Sequence, residues 1–220
     1  MIRITEVSVI IPLYNAEKYI GRCLRSILSQ SLDRSLYEII VINDGSNDNS
    51  LKMLNVFEDE ITLINSANNE GLPASLNKGI LKAKSKYLVR LDADDYVHED
   101  YLKILLIAMN SNHKIDSFCC DYYIVNDKEE VIETKNSLTE PIGCGVIFRM
   151  EHLINIGLYD DKMRLNEERE LMSRFIKKYN IERIPIPLYR YRRHQTNITL
   201  NKDQVQKYNA ILKEKSNENI

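Results

Sequence analysis

The sequence predicts an α/β fold, a mostly parallel sheet with helices on both faces and a smaller mixed region attached to it. Three observations carry that expectation. Short β-branched runs alternate with apolar-faced stretches of helical period through about the first hundred residues. Three of those runs end in polar segments, which is what the ligand-facing edge of a parallel sheet requires. Beyond about residue 110 the alternation gives way to extended runs lying close together in the chain.

The elements follow in order. Residues 7–11 form a β-branched run stopped by Pro12 and read as a buried strand. Residues 16–29 place Tyr19, Ile20, Cys23, Leu24, Ile27 and Leu28 on one helical face, with Asn15 as the expected N-cap. Residues 38–42 are the next strand, ending in the turn Asn43-Asp44-Gly45-Ser46. A helix over 49–57, a strand over 61–64 and a helix from Pro73 to residue 84 follow. Proline suits that first turn, where its missing N–H is harmless. Residues 86–91 form a fourth strand that runs into Asp92-Ala93-Asp94-Asp95, and an apolar-faced helix is expected over 100–109. Right-handed crossovers join such strands.

In the second half, residues 117–125 and 130–134 read as strands joined by the polar turn Asn126-Asp127-Lys128. Gly143-Cys144-Gly145 introduces a short strand over 146–148. Helices are expected over 151–156 and 168–179, an extended segment over 184–191, and a polar helix at the C-terminus. No linker, repeat or low-complexity stretch interrupts the chain. Residues 1–220 therefore read as a single domain, with one half over about 1–110, a second over about 111–200 and a C-terminal helix or tail over 201–220.

Composition narrows the function. With 220 residues, 44% hydrophobic and 28% charged, the chain can bury a sizeable core and is no disordered linker. Its 30 basic and 32 acidic residues leave a net charge of −2, which excludes sequence-blind grip on nucleic acid. The most apolar stretch, residues 101–109, is short and interrupted by Lys103, so no spanning helix is expected, nor a leader at the N-terminus. A soluble, cytoplasmic protein is the expectation. Cys23, Cys119, Cys120 and Cys144 lack C-x-x-C spacing and read as reduced thiols. The histidines at 98, 113, 152 and 194 never pair at i,i+4, so zinc is not expected.

The chemistry is expected on the rim outside the strand ends. Pro12-Leu13-Tyr14-Asn15, Asn43-Asp44-Gly45-Ser46 and residues 92–95 each have a bland reading as a cap or turn, but all three map to one rim. A helix cap needs one carboxylate, whereas Asp92, Asp94 and Asp95 supply three, a grouping that suits a hard divalent cation with oxygen ligands. Such a cation completes its shell with phosphate oxygens, so the rim reads as a diphosphate clamp. The chain has seven glycines and neither a P-loop nor G-x-G-x-x-G, so a nucleotide would be held through the metal and strand-end contacts.

These residues resemble the family 2 glycosyltransferases of GT-A fold, a Rossmann-like architecture. The resemblance rests on Val7-Ser-Val-Ile-Ile-Pro-Leu-Tyr-Asn15, Val41-Ile-Asn-Asp-Gly-Ser46, Asn69-Glu-Gly-Leu-Pro-Ala-Ser-Leu-Asn-Lys-Gly79 and Arg90-Leu-Asp-Ala-Asp-Asp95, in that order. It continues more loosely through Ile142-Gly-Cys-Gly-Val-Ile-Phe-Arg149, Gly157-Leu-Tyr-Asp160, Glu167-Glu-Arg-Glu-Leu-Met-Ser-Arg174 and Tyr189-Arg-Tyr-Arg-Arg-His194, covering about residues 6–199. It implies a Mn²⁺- or Mg²⁺-dependent, inverting transfer of a sugar from a nucleoside-diphosphate sugar, a UDP-sugar first, to a hydroxyl of a saccharide or lipid-linked saccharide. Synthesis of cell-surface polysaccharide, peripheral to the inner membrane face, is the implied setting. By the same carry-over Pro12 and Tyr14 flank the base, Asp44 contacts base or ribose, Asp92 faces the nucleoside, and Asn15, Asn69, Asn77 and Arg90 belong to the donor side. Asp94 is the implied metal ligand, with His194 closing over metal or diphosphate; Glu168 is the implied base, with Gly143, Gly145 and Glu167 on the acceptor side. Two positions depart from the family's habit: Glu168 replaces the usual Asp, and Leu76-Asn77 stands where Arg-Asn is common.

Two rival readings remain at this level. A non-catalytic sugar-nucleotide-binding subunit is compatible with Glu at the base position. A sugar nucleotidyltransferase calls for a glycine-rich basic loop where Pro12-Leu-Tyr-Asn15 stands.

Overall fold

The computed structural model describes residues 5–194, 206–208 and 210–212. Of the expected C-terminal helix, residues 206–208 and 210–212 are helical and the remainder lies outside the described residues.

Strand β1 (Val7–Leu13) is the axis of the first half. It pairs in parallel with β2 (Tyr37–Asp44) on one side and β4 (Tyr87–Arg90) on the other, and β3 (Thr62–Ser66) extends the sheet beyond β2, also in parallel. Between them run α1 (Ile20–Leu28), the short α2 (Ser50–Leu54) and α3 (Leu72–Lys82). After β4 come the two-residue β5 (Tyr96–Val97) and α4 (Tyr101–Ser111). The second half contributes β6 (Ser117–Val125), β7 (Val131–Lys135), β8 (Val146–Arg149), α5 (Met150–Asn155), α6 (Glu167–Phe175) and β9 (Ile181–Arg192). The sheet order is β3-β2-β1-β4-β8-β6-β9-β5, with β7 on the side of β6. Strand β8 enters antiparallel to both β4 and β6, whereas β9 lies parallel to β6 and antiparallel to β5. The mostly parallel half and the mixed half thus share one continuous sheet.

Alternation along the buried β1 explains the layering. Val7, Val9 and Ile11 pack with Ile20, Leu24 and Ile27 of α1 and Leu105 and Met109 of α4. Ile10 faces the opposite layer, with Ile40 and Ile42 of β2, Leu76 and Ile80 of α3, and Phe175 of α6. Helix α3 comes close because Gly79 carries no side chain: a Cβ there would sit 2.7 Å from both Ile10 and Ile42 side chains.

Several boundaries differ from expectation. Helix α1 begins at Ile20, after a turn in which the N–H groups of Tyr19 and Ile20 donate to Ala16 O. Asn15 is therefore not its N-cap. With φ at 51° it occupies the left-handed region that asparagine tolerates, and its side chain accepts the Asn47 N–H at 2.9 Å. Helix α6 stops at Phe175, short of residue 179. Strand β9 is longer than expected, and its register against β6 shifts where Pro185 and Pro187 remove ladder donors. Among the described residues no helix is long and apolar enough to cross a membrane. All four cysteines are buried free thiols.

Candidate active site

The ends of β1 and β2 are knitted together before any ligand arrives. Asn15 N–H donates to Ser46 Oγ at 3.0 Å, Ala16 N–H to Ser50 Oγ at 2.9 Å and Glu17 N–H to Asp48 Oδ2 at 3.0 Å. Tyr14 remains 49% exposed at this rim, just past β1, which runs through the partly buried Pro12 to Leu13 rather than stopping at the proline. Asp44 ends β2 as a buried carboxylate whose two oxygens accept the N–H groups of Glu70 and Gly71, both at 2.9 Å. It therefore shapes the loop that carries the exposed Asn69 into α3. Gly45, with φ at 71°, lets the turn pass: a Cβ would lie 2.6 Å from the Asn68 carbonyl carbon. Asn77 is turned elsewhere, its amide clasping both backbone groups of Tyr159 at 2.8 and 3.0 Å.

Past β4 the three aspartates separate into three environments. The Asp92 carboxylate receives a fork from Arg90, Nε at 2.7 Å and Nη2 at 3.0 Å. Asp94 Oδ2 lies 2.9 Å from His194 Nε2, with its side chain 30% exposed. Asp95 turns inward, accepting Tyr189 OH at 2.7 Å and the Arg192 N–H at 2.7 Å. Burial, with Asp94 and Asp92 nearby, pushes the Asp95 carboxyl well above the usual range. The Tyr189 hydroxyl also accepts the Asp92 N–H at 3.2 Å, so one buried phenol fixes two residues of the edge.

Ligand-type atoms of Asp92, Asp95 and Cys144 lie within 4.8 Å of one another. That cluster is poorly suited to a hard cation. Arg90 already occupies Asp92, Tyr189 and a backbone N–H occupy Asp95, and burial drives the Cys144 thiol up so that it stays protonated. The Asp94–His194 pair fits better, with a part-exposed carboxylate oxygen and an imidazole nitrogen converging on one place. The His194 ring is stacked on Tyr19 at 4.9 Å and borders an open cleft lined by Asn15, Glu17, Tyr19, Asp48 and Asp127.

The other wall is the start of α6. Asn166, with φ at 60°, turns the chain so that Glu167 points inward, where Arg90 Nη1 holds its carboxylate at 2.8 Å. Burial would favour a neutral Arg90, but Asp92 foremost, with Glu167, holds it cationic. Glu168, the next residue, is only partly buried, and its carboxylate has its own backbone N–H as a partner rather than a cation. Burial pushes its titration up to about 7, the Glu167 charge adding to the effect and Arg90 opposing it. Gly143 lies against both groups: a Cβ there would sit 2.6 Å from Arg90 Nη1 and 3.1 Å from Glu168 Cβ. Gly145 supports this wall from behind through its carbonyl, which accepts the Cys120 N–H at 2.9 Å.

The structure thus brings Pro12, Tyr14, Asn15, Asp44 and Asn69 to one rim, and Arg90, Asp92, Gly143, Glu167 and Glu168 into one contact network. Sequence reasoning did not assign Tyr19 or Tyr189 to the site. Arg192 is buried, donating through Nε to Asp94 O at 2.9 Å, whereas Arg190 lies over the Tyr123 ring at 5.3 Å.

The continuous, mostly parallel sheet ending in an acidic edge matches the fold of GT-A glycosyltransferases. S. aureus TarS 1-349 in complex with UDP superposes with a TM-score of 0.75 at 20% identity, over 86% of this chain and 61% of that one. The mannosyltransferase PcManGT from Pyrobaculum calidifontis, in complex with GDP-Man and Mn²⁺, gives 0.77 at 16% identity, over 98% of this chain and 65% of that one. The chain belongs to glycosyl transferase family 2, whose model matches residues 8–175. Among curated relatives, the glycosyltransferase GlyA of Streptococcus pneumoniae is 33% identical over 126 residues, 56% of this chain and 18% of that protein. The poly(ribitol-phosphate) beta-glucosyltransferase of Bacillus spizizenii is 36% identical over 101 residues, 44% of this chain and 16% of that protein. The chain spans under a fifth of the length of either.

Proposed function

We propose that the chain transfers a sugar, with inversion, from a nucleoside-diphosphate sugar to a hydroxyl acceptor. The observation that carries this reading is Glu168, a carboxylate held in no salt bridge whose titration is pushed to about 7, set beside the acidic strand edge by the Arg90–Glu167 contact. A general base works best when its pKa lies near the working pH, and such a group supplies about 10²–10⁴-fold in rate.

In this reading the rim formed by Tyr14, Asn15 and the loop ordered by Asp44 receives the nucleoside. Asp94 and His194 are the protein ligands of a divalent cation, Mn²⁺ or Mg²⁺, which when bound supplies charge neutralisation to the departing diphosphate. Glu168 accepts the acceptor hydroxyl proton as that oxygen attacks the anomeric carbon, and Gly143 lets Arg90 and Glu168 pack closely along this wall. The donor is read as a UDP-sugar, supported by the neighbour solved with UDP, while the neighbour solved with GDP-Man supports the broader class. A saccharide or lipid-linked saccharide at the inner membrane face is the acceptor reading; the setting in cell-surface polymer synthesis is supported by the poly(ribitol-phosphate) beta-glucosyltransferase relative.

Thermal unfolding with UDP or GDP, each with and without Mn²⁺, tests it. A ligand at a hundred times its Kd stabilises the native state by about 2.7 kcal/mol. The reading expects a rise with a nucleoside diphosphate that needs the cation. No shift with either nucleotide, with or without cation, would refute it.

A further inference from the structure

We infer that Arg90 is a positioning residue: by joining the strand-edge carboxylate of Asp92 to Glu167, it leaves Glu168 rather than its neighbour as the group that takes the acceptor proton. The inference rests on the proposed transferase reading and deepens it.

Two adjacent glutamates open α6, and neighbouring residues on a helix point about 100° apart. Either could serve as a base on chemistry alone. Arg90 separates them. Three of its nitrogens are engaged, Nε and Nη2 on Asp92 and Nη1 on Glu167, and its side chain is 7% exposed. A planar guanidinium can hold one carboxylate in a fork and still reach a second, which a lysine ammonium cannot do with the same geometry. Glu167 is thereby ion-paired in place and 4% exposed, with no freedom to meet a substrate. The same contact ties the first turn of α6 to the end of β4, so Glu168 is fixed relative to the acidic edge.

The absence of a side chain at position 143 is the complementary half of the device. A Cβ there would strike Arg90 Nη1 at 2.6 Å. The charged groups bearing on Glu168 are Arg90 from β4 and Glu167 and Arg169 from its own helix. Asp92 faces the Arg90 fork, on the far side of the guanidinium's contact with Glu167. The remaining titratable neighbours of the guanidinium, Cys144 and Tyr159, are driven up by burial and stay uncharged near neutrality. The local field at Glu168 is thus a contest in which Glu167 raises its titration and Arg90 lowers it.

Carboxyl ¹³C NMR titration of Glu168 in the ligand-free protein, with its resonance identified by loss in Glu168→Gln, reads that contest directly. Glu167→Gln should move the Glu168 midpoint to lower pH. Arg90→Met should move it to higher pH, with Arg90→Lys between it and wild type. The acid limb of UDP release from UDP-GlcNAc or UDP-glucose should move in the same directions. If Arg90→Met does not fold, Glu167→Gln and Arg90→Lys still decide the matter. Midpoints unchanged in both would overturn the inference and leave Arg90 a packing residue. Full turnover by Glu168→Gln would overturn the base assignment itself, an outcome the titrations cannot produce.

Discussion

His194 Nε2 and Asp94 Oδ2 are 2.9 Å apart although 100 positions separate them in the chain. The contact is delivered by backbone rather than by a wandering side chain. Arg192 N–H bonds Asp95, Arg192 Nε bonds the Asp94 carbonyl, and Arg193 N–H bonds Val125 O at 2.8 Å. These bonds lay the end of β9 along the acidic edge, and the Tyr19 ring stacks beneath the imidazole. Both groups thus face one place, and a bound cation would take over from the hydrogen bond that now joins them.

Asp94→Asn should therefore abolish the cation-dependent part of nucleotide stabilisation while leaving the unliganded protein within about 0.5 kcal/mol of wild type, as for other part-exposed sites. His194→Ala should weaken the same response and also forfeit the Tyr19 stack, about 0.5–1.5 kcal/mol. Differential scanning fluorimetry with UDP and Mn²⁺ measures both. A wild-type response from Asp94→Asn would move the cation elsewhere.

Asp44→Ala is expected to act mainly through structure. Its two carboxylate oxygens hold the N–H groups of Glu70 and Gly71, and leaving the buried Gly71 donor without a partner costs about 1–3 kcal/mol. Urea denaturation should show that loss, and the loosened loop should raise the donor KM more than it lowers kcat. A pure kcat effect with unchanged stability would contradict the assignment.

The sequence made legible what depends on local periodicity and hid what depends on distant partners. The strand over 117–125 was read with its observed bounds because its β-branched and aromatic run is long and clearly limited. Tyr96–Val97 went unread as a strand, since two residues carry no period and its existence depends on pairing with β9. Asn15 misled because an N-cap and a left-handed turn favour the same residue type, and only the Asn47 N–H decides between them. Arg90 was legible as a cation on the donor side, but its contact with Glu167 spans 77 positions and follows from β8 entering antiparallel beside β4. The acidic edge read as one cluster, and Asp92 and Asp95 do keep oxygens within 4.8 Å of one another, but each carboxylate has its own partner, which no sequence pattern reveals.

Gly143→Ala tests the wall between Arg90 and Glu168. The added methyl would meet Arg90 Nη1 at 2.6 Å, and the guanidinium cannot swing away without releasing Asp92 or Glu167. Overpacking of this kind costs about 1–3 kcal/mol. Stability should fall by that amount and turnover should fall further, because the displaced pair positions the base. Wild-type turnover in a stable Gly143→Ala protein would show that the Arg90 contacts tolerate movement.

Glu168→Gln is expected to separate activity from stability. As a base the group must be ionised, so turnover should rise with pH through about 7, where burial and the Glu167 charge set its titration. Removing the carboxylate should lower kcat by about 10²–10⁴-fold and leave nucleotide stabilisation intact. Stability runs the other way. A carboxyl raised from its ordinary value to about 7 in the folded state contributes stability below the ordinary value and loses it as pH climbs through 7. Glutamine escapes that loss. The variant should match wild type in acid and exceed it above pH 7, by on the order of 1 kcal/mol once screening of this part-exposed group is allowed for. Denaturation midpoints at pH 5 and pH 8 give the comparison. A variant that is inactive but no more stable at pH 8 would mean that Glu168 ionises in the folded protein at no cost.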